Sequence, residues 1–144
     1  MADTRVRAVD AGRNTSDQIN RYWQQLKYAS TVTPTPIATW IEAQLILAEA
    51  RGGAEGILIL QNLRTAAGLP GLSAAEIADF PGTLREERRR FLWLQGNRWF
   101  DLRRDNLTLT PAVGAAYSKG GTYGDQRCWP LPDVERSANP NIDG

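Results

Sequence analysis

The chain has 144 residues with 42% apolar and 23% charged side chains, which suits one globular domain with a real core and excludes wholesale disorder. Its formal charge is +1, from 17 basic and 16 acidic residues, so the basic excess of a phosphate-backbone binder is missing. There is no His and a single Cys128, which removes the commonest general base, an intrachain disulfide and any Cys-based zinc site.

Fifteen of the 17 basic residues are Arg, with Lys27 and Lys119 the exceptions. Arg suits paired and partly buried contacts, because its planar fork is weakly hydrated. No run of about 18 uninterrupted apolar residues occurs, so no transmembrane helix is expected. The opening Met-Ala-Asp-Thr-Arg is polar and does not read as a signal peptide; an export signal would belong to a longer parent.

Residues 1–37 read as an N-terminal arm and linker. Arg13 to Gln18 is polar, and Thr31 to Pro36 is extended, with prolines at 34 and 36. Tyr22, Trp23 and Tyr28 must pack on something, so the arm is expected to drape over the core. Residues 38–51 read as a helix with Thr39 as N-cap and Glu42 as its capping-box partner. Glu42 and Glu49 share one narrow polar stripe. The rest is Ala, Leu, Ile and Trp, which predicts burial on more than one side.

Gly52-Gly53 breaks that helix, and a second follows over about 54–67, stopped by Gly68 and Pro70. The pair forms an antiparallel αα-hairpin. Ser73 to Asp79 suits a short helix with Ser73 as N-cap and Glu76 completing a capping box. Residues 83–104 carry the longest pattern. On a single helical wheel Leu84, Arg88, Phe91, Leu92, Gln95, Trp99 and Leu102 occupy an arc of roughly 100°. Trp93 and Phe100 lie on the far side, and Gly96 is a point of bending. Residues 111–127 read as a long loop, Cys128 to Pro132 as extended, Asp133 to Ser137 as one helical turn, and Asn139-Pro140-Asn141 as a turn. No period-2 strand is evident. The expected fold class is all-α, an irregular helical domain with an αα-hairpin and long C-terminal loops.

Glu86-Glu87-Arg88-Arg89-Arg90 reads as a solvated helix face with pairs such as Glu86–Arg90, not as a nucleic-acid site. Arg88 and Gln95 sit inside the apolar arc, where a charge is costly unless paired. With Glu87, Arg98, Asp101 and Arg104 they are expected to form a structural network of buried hydrogen bonds and ion pairs. The acids are interleaved with arginines, which keeps them ionised and makes them poor general acids. No P-loop, dinucleotide fingerprint, nucleophile elbow or metal-ligand spacing is present, so no catalytic residue, cofactor or metal is assigned. Trp40, Trp93, Trp99 and Phe100 are read as core. Tyr22, Trp23, Tyr117, Tyr123 and Trp129 lie in irregular segments, and they are the candidates for ligand contact.

Four stretches together resemble the SusD/RagB family. Glu87-Arg88-Arg89-Arg90 and the following Phe91 to Arg104 resemble its signature of Glu-Arg, Glu-Gly-x-Arg, an aromatic and Asp-Leu-x-Arg. Glu42 to Ala50 resembles its Glu-x-x-Leu-x-x-Ala-Glu-Ala helix, and Leu60 to Pro70 its Leu-Asn-x-Val-Arg-x-Arg-Ala-Gly-Leu-Pro segment. Trp129-Pro130-Leu131-Pro132, Glu135 and Ala138-Asn139-Pro140-Asn141 resemble its closing Pro-Ile-Pro-x-x-Glu-x-x-x-Asn-Pro stretch. Phe91 and Gln95 stand where the family commonly has Glu. The resemblance covers residues 38–144 and corresponds to the C-terminal part of longer proteins; Cys128 does not match their lipid-anchor Cys.

The resemblance implies a helical fold with tetratricopeptide-like helix pairs. It implies a surface-exposed outer-membrane lipoprotein that captures a glycan or peptide ligand without chemistry, beside a TonB-dependent SusC-type transporter. Attachment to the membrane would run through the parent's lipid anchor, and this chain alone would be soluble. The motifs that carry the resemblance look like scaffold. The alternative reading is a stand-alone helical protein-interaction module.

Overall fold

A computed structural model describes residues 3–128 and 131–139, apart from the side chain of Arg136. The chain divides into two compact units, Met1–Asp105 and Asn106–Gly144. The first is mostly helical but carries a small sheet, which corrects the strandless expectation. Strands β1 (Ala8–Asn14) and β2 (Arg21–Gln25) pair antiparallel, with a register shift between Asp10 and Asn14. The physical reason for the miss lies in that irregularity. Gly12 adopts a left-handed φ of 73° and donates its N–H to the Asp10 carboxylate, so the strand has a kink where alternation would be read. Neither strand has a fully buried residue, so no apolar face imposes a period of two. Asp17 organises the connecting turn, accepting from the Thr15 hydroxyl and from the backbone N–H groups of Ile19 and Asn20.

Helix α1 (Trp40–Arg51) starts where Thr39 accepts the N–H of Glu42. Gly52, at φ 59°, closes α1 by donating to Ala48 and opens α2 (Gly53–Ala66) directly. The expected αα-hairpin is therefore present. Its two helices approach closely: a Cβ on Gly56 would lie 2.6 Å from both the Ala48 carbonyl oxygen and Cζ of Phe80. Helix α3 (Ala74–Ala78) begins with the complete Ser73–Glu76 capping box. Helix α4 (Phe80–Phe91) follows, with Asp79 accepting the N–H of Gly82.

The stretch expected as one helix over 83–104 is two. Leu94 and Gly96 both take left-handed backbone, and α5 (Asn97–Arg104) starts afresh after them. The core of the unit joins Leu45 and Ala48 of α1, Leu60 and Leu63 of α2, Leu72, Leu84 of α4, and Leu92. Ile41, Ile57, Ile59, Phe80 and Phe91 pack around it. Each fully buried Leu contributes roughly 2 kcal/mol from area alone.

Two expectations about burial change. Trp40 and Phe100, expected in the core, are 65% and 63% exposed, because each points away from the single cluster that α1, α2 and α4 share. Trp93 and Trp99 are half-buried. Helix α1 is buried along one side, with Ala43, Ile46, Leu47 and Ala50 exposed beside Trp40. No described helix is long and apolar enough to cross a membrane.

The second unit is mostly irregular, as its five glycines and prolines over 111–127 predict. Ala116 and Thr122 form an antiparallel bridge, flanked by Tyr123 N–H to Ala115 and Tyr117 N–H to Gly121. Arg127 donates to the Leu107 carbonyl at 3.0 Å. Helix α6 (Asp133–Ala138) is the expected turn of helix. Trp129 and the Asn139-Pro140-Asn141 turn lie wholly or partly outside the described residues.

Candidate functional site

The chemistry of the first unit centres on Glu87 of α4, whose side chain is 2% exposed. A carboxylate so far from water is costly unless its charge is matched. Two arginines match it. Arg5 Nη1 lies 2.5 Å from Glu87 Oε2, and Arg64 Nη1 lies 3.3 Å from Oε1. Arg64 sits near the end of α2 and ties three further elements together. Its Nε donates to the Pro70 carbonyl at 2.7 Å, and its Nη1 also reaches Glu76 of α3 at 2.9 Å.

Arg5 comes from the N-terminal arm. Its guanidinium stacks over the Phe91 ring at 4.4 Å and holds Asp3 by a 2.7 Å ion pair. That hydrogen bonding to Arg5 lowers the Asp3 pKa to about 2. The arm is thus docked onto α4. Lys27 adds a second fastening, donating to the Trp93 carbonyl at 2.6 Å, and burial lowers its pKa.

A second buried pair holds α5. Arg88 Nε and Nη2 donate to the two oxygens of Asp101, at 3.3 and 3.0 Å. Arg104 reaches Asp101 at 3.6 Å and Glu49 of α1 at 3.3 Å, but is half exposed. Gln95 is half-buried, and its side chain has no hydrogen bond among the described residues. Arg98 is exposed and has no ion pair among them. The first departure follows from the break at 92–96. The wheel that aligns Gln95 with Arg88 assumes one continuous helix, whereas i,i+3 spacing links Arg98 to Asp101, and Asp101 is taken up by Arg88 instead. Glu86 takes Arg89 and Arg90, both at 2.6 Å, and hydrogen bonding to Arg89 lowers its pKa.

Sequence reasoning left out Arg5 and Arg64 as partners of Glu87, and Asp3 as a partner of Arg5. Arg64 carried a signal, since it falls in the Leu60 to Pro70 match. Arg5 carried none, because a lone Arg in an irregular arm has no periodicity to place it.

Asp3, Arg5, Arg64 and Arg90 form one wall of a groove of about 700 Å³, and Trp23 borders it. Trp23 is 61% exposed on β2. Its neighbour Tyr22 lies under the Arg13 guanidinium, 4.5 Å from it, and is half-buried. In the second unit Tyr117 and Tyr123 meet edge to face, with ring centroids 5.3 Å apart. The groove's four arginines, Arg5, Arg64, Arg89 and Arg90, are matched by Asp3, Glu76, Glu86 and Glu87, so the local charge is balanced. Such a surface offers an aromatic plate and fixed polar groups, and each of these four carboxylates is held by an arginine.

Comparison with characterised proteins and with solved structures gives no match. The model of the SusD family matches residues 42–143, across the hairpin, α4, α5 and the second unit. With well over half its length matched, the chain belongs to the SusD family.

Proposed function

We propose that this chain is a nutrient-binding component that captures a glycan without chemistry and works with a TonB-dependent SusC-type transporter at the outer-membrane surface. The observation that carries this reading is the family match over residues 42–143. Proteins of the family bind nutrients rather than transform them. In this reading residues 38–144 are the family region and 1–37 an arm that braces it. The α1–α2 hairpin is one unit of a tetratricopeptide-like stack.

Trp23 is the residue that would meet the ligand. Its exposed indole offers a flat apolar face to a sugar ring, and the charge-balanced groove beside it suits a neutral oligosaccharide. Tyr117 and Tyr123 are further candidates in the second unit, with Trp129 and Tyr22 behind them. The Glu87 network serves as a fastener that fixes Arg5 and Arg64 in the groove's lining, and the Arg88–Asp101 pair fastens α5 to α4.

The test is calorimetric titration with a panel of neutral oligosaccharides, followed by Trp23→Ala. Because Trp23 is exposed, the variant keeps its circular dichroism spectrum and loses about tenfold or more in affinity, equivalent to roughly 1.4 kcal/mol. Unchanged affinity in the variant removes Trp23 from the site. Failure of every saccharide to bind, with peptides bound instead, moves the ligand class.

A further inference from the structure

The groove that Trp23 borders has two walls, built from separate parts of the chain. The N-terminal arm supplies one, with Arg5 and Trp23; the other runs through Arg64 and Pro70. Both walls are tied to one carboxylate. Glu87 Oε2 takes Arg5 at 2.5 Å, and Oε1 takes Arg64 at 3.3 Å, whose Nε in turn holds the Pro70 carbonyl at 2.7 Å. We infer that Arg5 is a positioning residue for ligand capture: anchored on Glu87, it sets where the β1–β2 hairpin stands and so holds Trp23 at the groove. The inference rests on the reading of this groove as the ligand site. It goes beyond the family match, which begins at residue 42 and assigns the arm no role.

Three features put the hairpin's orientation on Arg5. Its fork is held from several sides. Nε and Nη2 donate to the two oxygens of Asp3 at 2.9 and 2.7 Å, Nη1 reaches Glu87, and the guanidinium lies 4.4 Å from the centre of the Phe91 ring. A planar fork so held has one orientation. That orientation then passes into the backbone. The Arg5 N–H donates to Asp3 Oδ1 at 3.0 Å and the Val6 N–H to the Asp3 carbonyl at 3.1 Å, which makes a tight turn of Asp3 to Val6. The next residue, Arg7, accepts the Leu26 N–H at 2.7 Å and closes the base of the hairpin. The other foot tethers without orienting: Lys27 meets the Trp93 carbonyl through one ammonium bond of 2.6 Å, and an ammonium is a point charge on a flexible stem. Trp23 pairs with Asp10, two residues beyond the Ala8–Gln25 rung and so about 7 Å along the strand. A tilt at the base therefore moves the indole relative to Pro70. Neither strand has a fully buried residue to resist that tilt.

The experiment labels the full chain with 5-fluorotryptophan and follows the Trp23 fluorine resonance, assigned by Trp23→Phe, in the parent and in Arg5→Lys. Lysine keeps a cation against Glu87, and so keeps the fold, but loses the fork. The expected result is a Trp23 resonance displaced toward that of a free indole, with Trp40 and Trp99 unmoved and circular dichroism unchanged. Asp3→Asn, which loosens one side of the fork and leaves the Glu87 pair whole, displaces the same resonance by less. Calorimetry with cellohexaose, mannohexaose and maltoheptaose supplies the second readout. Arg5→Lys weakens binding about tenfold through lost preorganisation. Added to Trp23→Ala it costs nothing further, because it acts through that indole. A Trp23 resonance unmoved in both variants, or losses from Arg5→Lys and Trp23→Ala that multiply, overturns the inference. So does displacement of Trp40 and Trp99 along with Trp23 in both variants, the mark of a merely structural Arg5. If the parent binds none of the three saccharides, the reading of the groove falls, while the fluorine resonance still decides whether Arg5 positions Trp23.

Discussion

Glu87 is the residue on which the first unit turns. Its carboxylate keeps two guanidinium groups neutralised, and the side chains of Arg5 and Arg64 are 6% and 9% exposed. Replacing Glu87 with Gln keeps the shape but leaves two buried cations with less than their share of anion. The expected loss is about 3–5 kcal/mol in urea denaturation, the range for breaking a buried ion pair from one side. A loss below about 1 kcal/mol would show that water reaches the pair and screens it. The acid limb of stability follows from neighbouring carboxylates. Asp3 is lowered from 3.8 to about 2, chiefly by its hydrogen bonds to Arg5, and Glu76 and Glu86 are lowered by the Ser73 backbone N–H and by Arg89. A depressed carboxylate stabilises the fold fully above its unfolded pKa, because the unfolded chain takes up the proton first as pH falls. Stability should therefore drop between about pH 4 and pH 2, read as a falling urea midpoint, and Asp3→Asn should make that drop shallower. An identical profile in the variant would remove Asp3 from the linkage. The network was partly legible in sequence: Arg88, inside the apolar arc, could be seen to need a partner, and Asp101 entered by its spacing from Arg98 and Arg104. What could not be seen was the supplier from across the chain, since Arg5 meets Glu87 through 82 residues of separation.

At the scale of elements, the α1–α2 crossing rests on one glycine. Gly56→Ala would ordinarily favour a helix by about 1 kcal/mol. Here the added methyl meets the Ala48 carbonyl oxygen, a backbone atom that cannot rotate aside, as well as the Phe80 ring. Overpacking of about 1–3 kcal/mol therefore wins, and the variant should melt lower than the parent by calorimetry. A higher melting temperature would mean that the two helices slide apart at no cost. The starts of α1 and α3 were legible, because Thr39 and Ser73 announce themselves by local chemistry that needs no tertiary partner, whereas α4 begins at Phe80 behind an Asp79 cap that the expected start at 83 left out. The strands were illegible for the opposite reason: an exposed, kinked hairpin has no buried face to write a pattern. The α4–α5 break was half legible. Gly96 marked it, but Leu94 in left-handed backbone has no sequence signature, so one wheel was laid over two helices. The error carried into the site, placing Gln95 in one arc with Arg88, whose side chain instead meets Asp101 of α5.

For the whole molecule, the informative surface is the outer side of α1. At 100° per residue Trp40, Ala43, Ile46, Leu47 and Ala50 fall within an arc of about 120°, and all five are exposed. A helix with Leu45 and Ala48 buried on one side and this stripe on the other has more apolar surface than the described core covers. Scattered exposed apolar residues are ordinary on any protein, but a contiguous helical stripe is not. Each large side chain in it, 37–65% exposed, stands to gain the corresponding part of the about 1.5–3 kcal/mol of full burial. The isolated chain should accordingly associate with itself as concentration rises, seen as a growing mass by light scattering. Trp40→Lys together with Leu47→Lys should restore a monomer while leaving circular dichroism unchanged, since neither side chain supports the core. A parent chain that stays monomeric across the accessible concentration range would show that this stripe is already covered within the molecule. Association that persists in the double variant would place the contact on another surface.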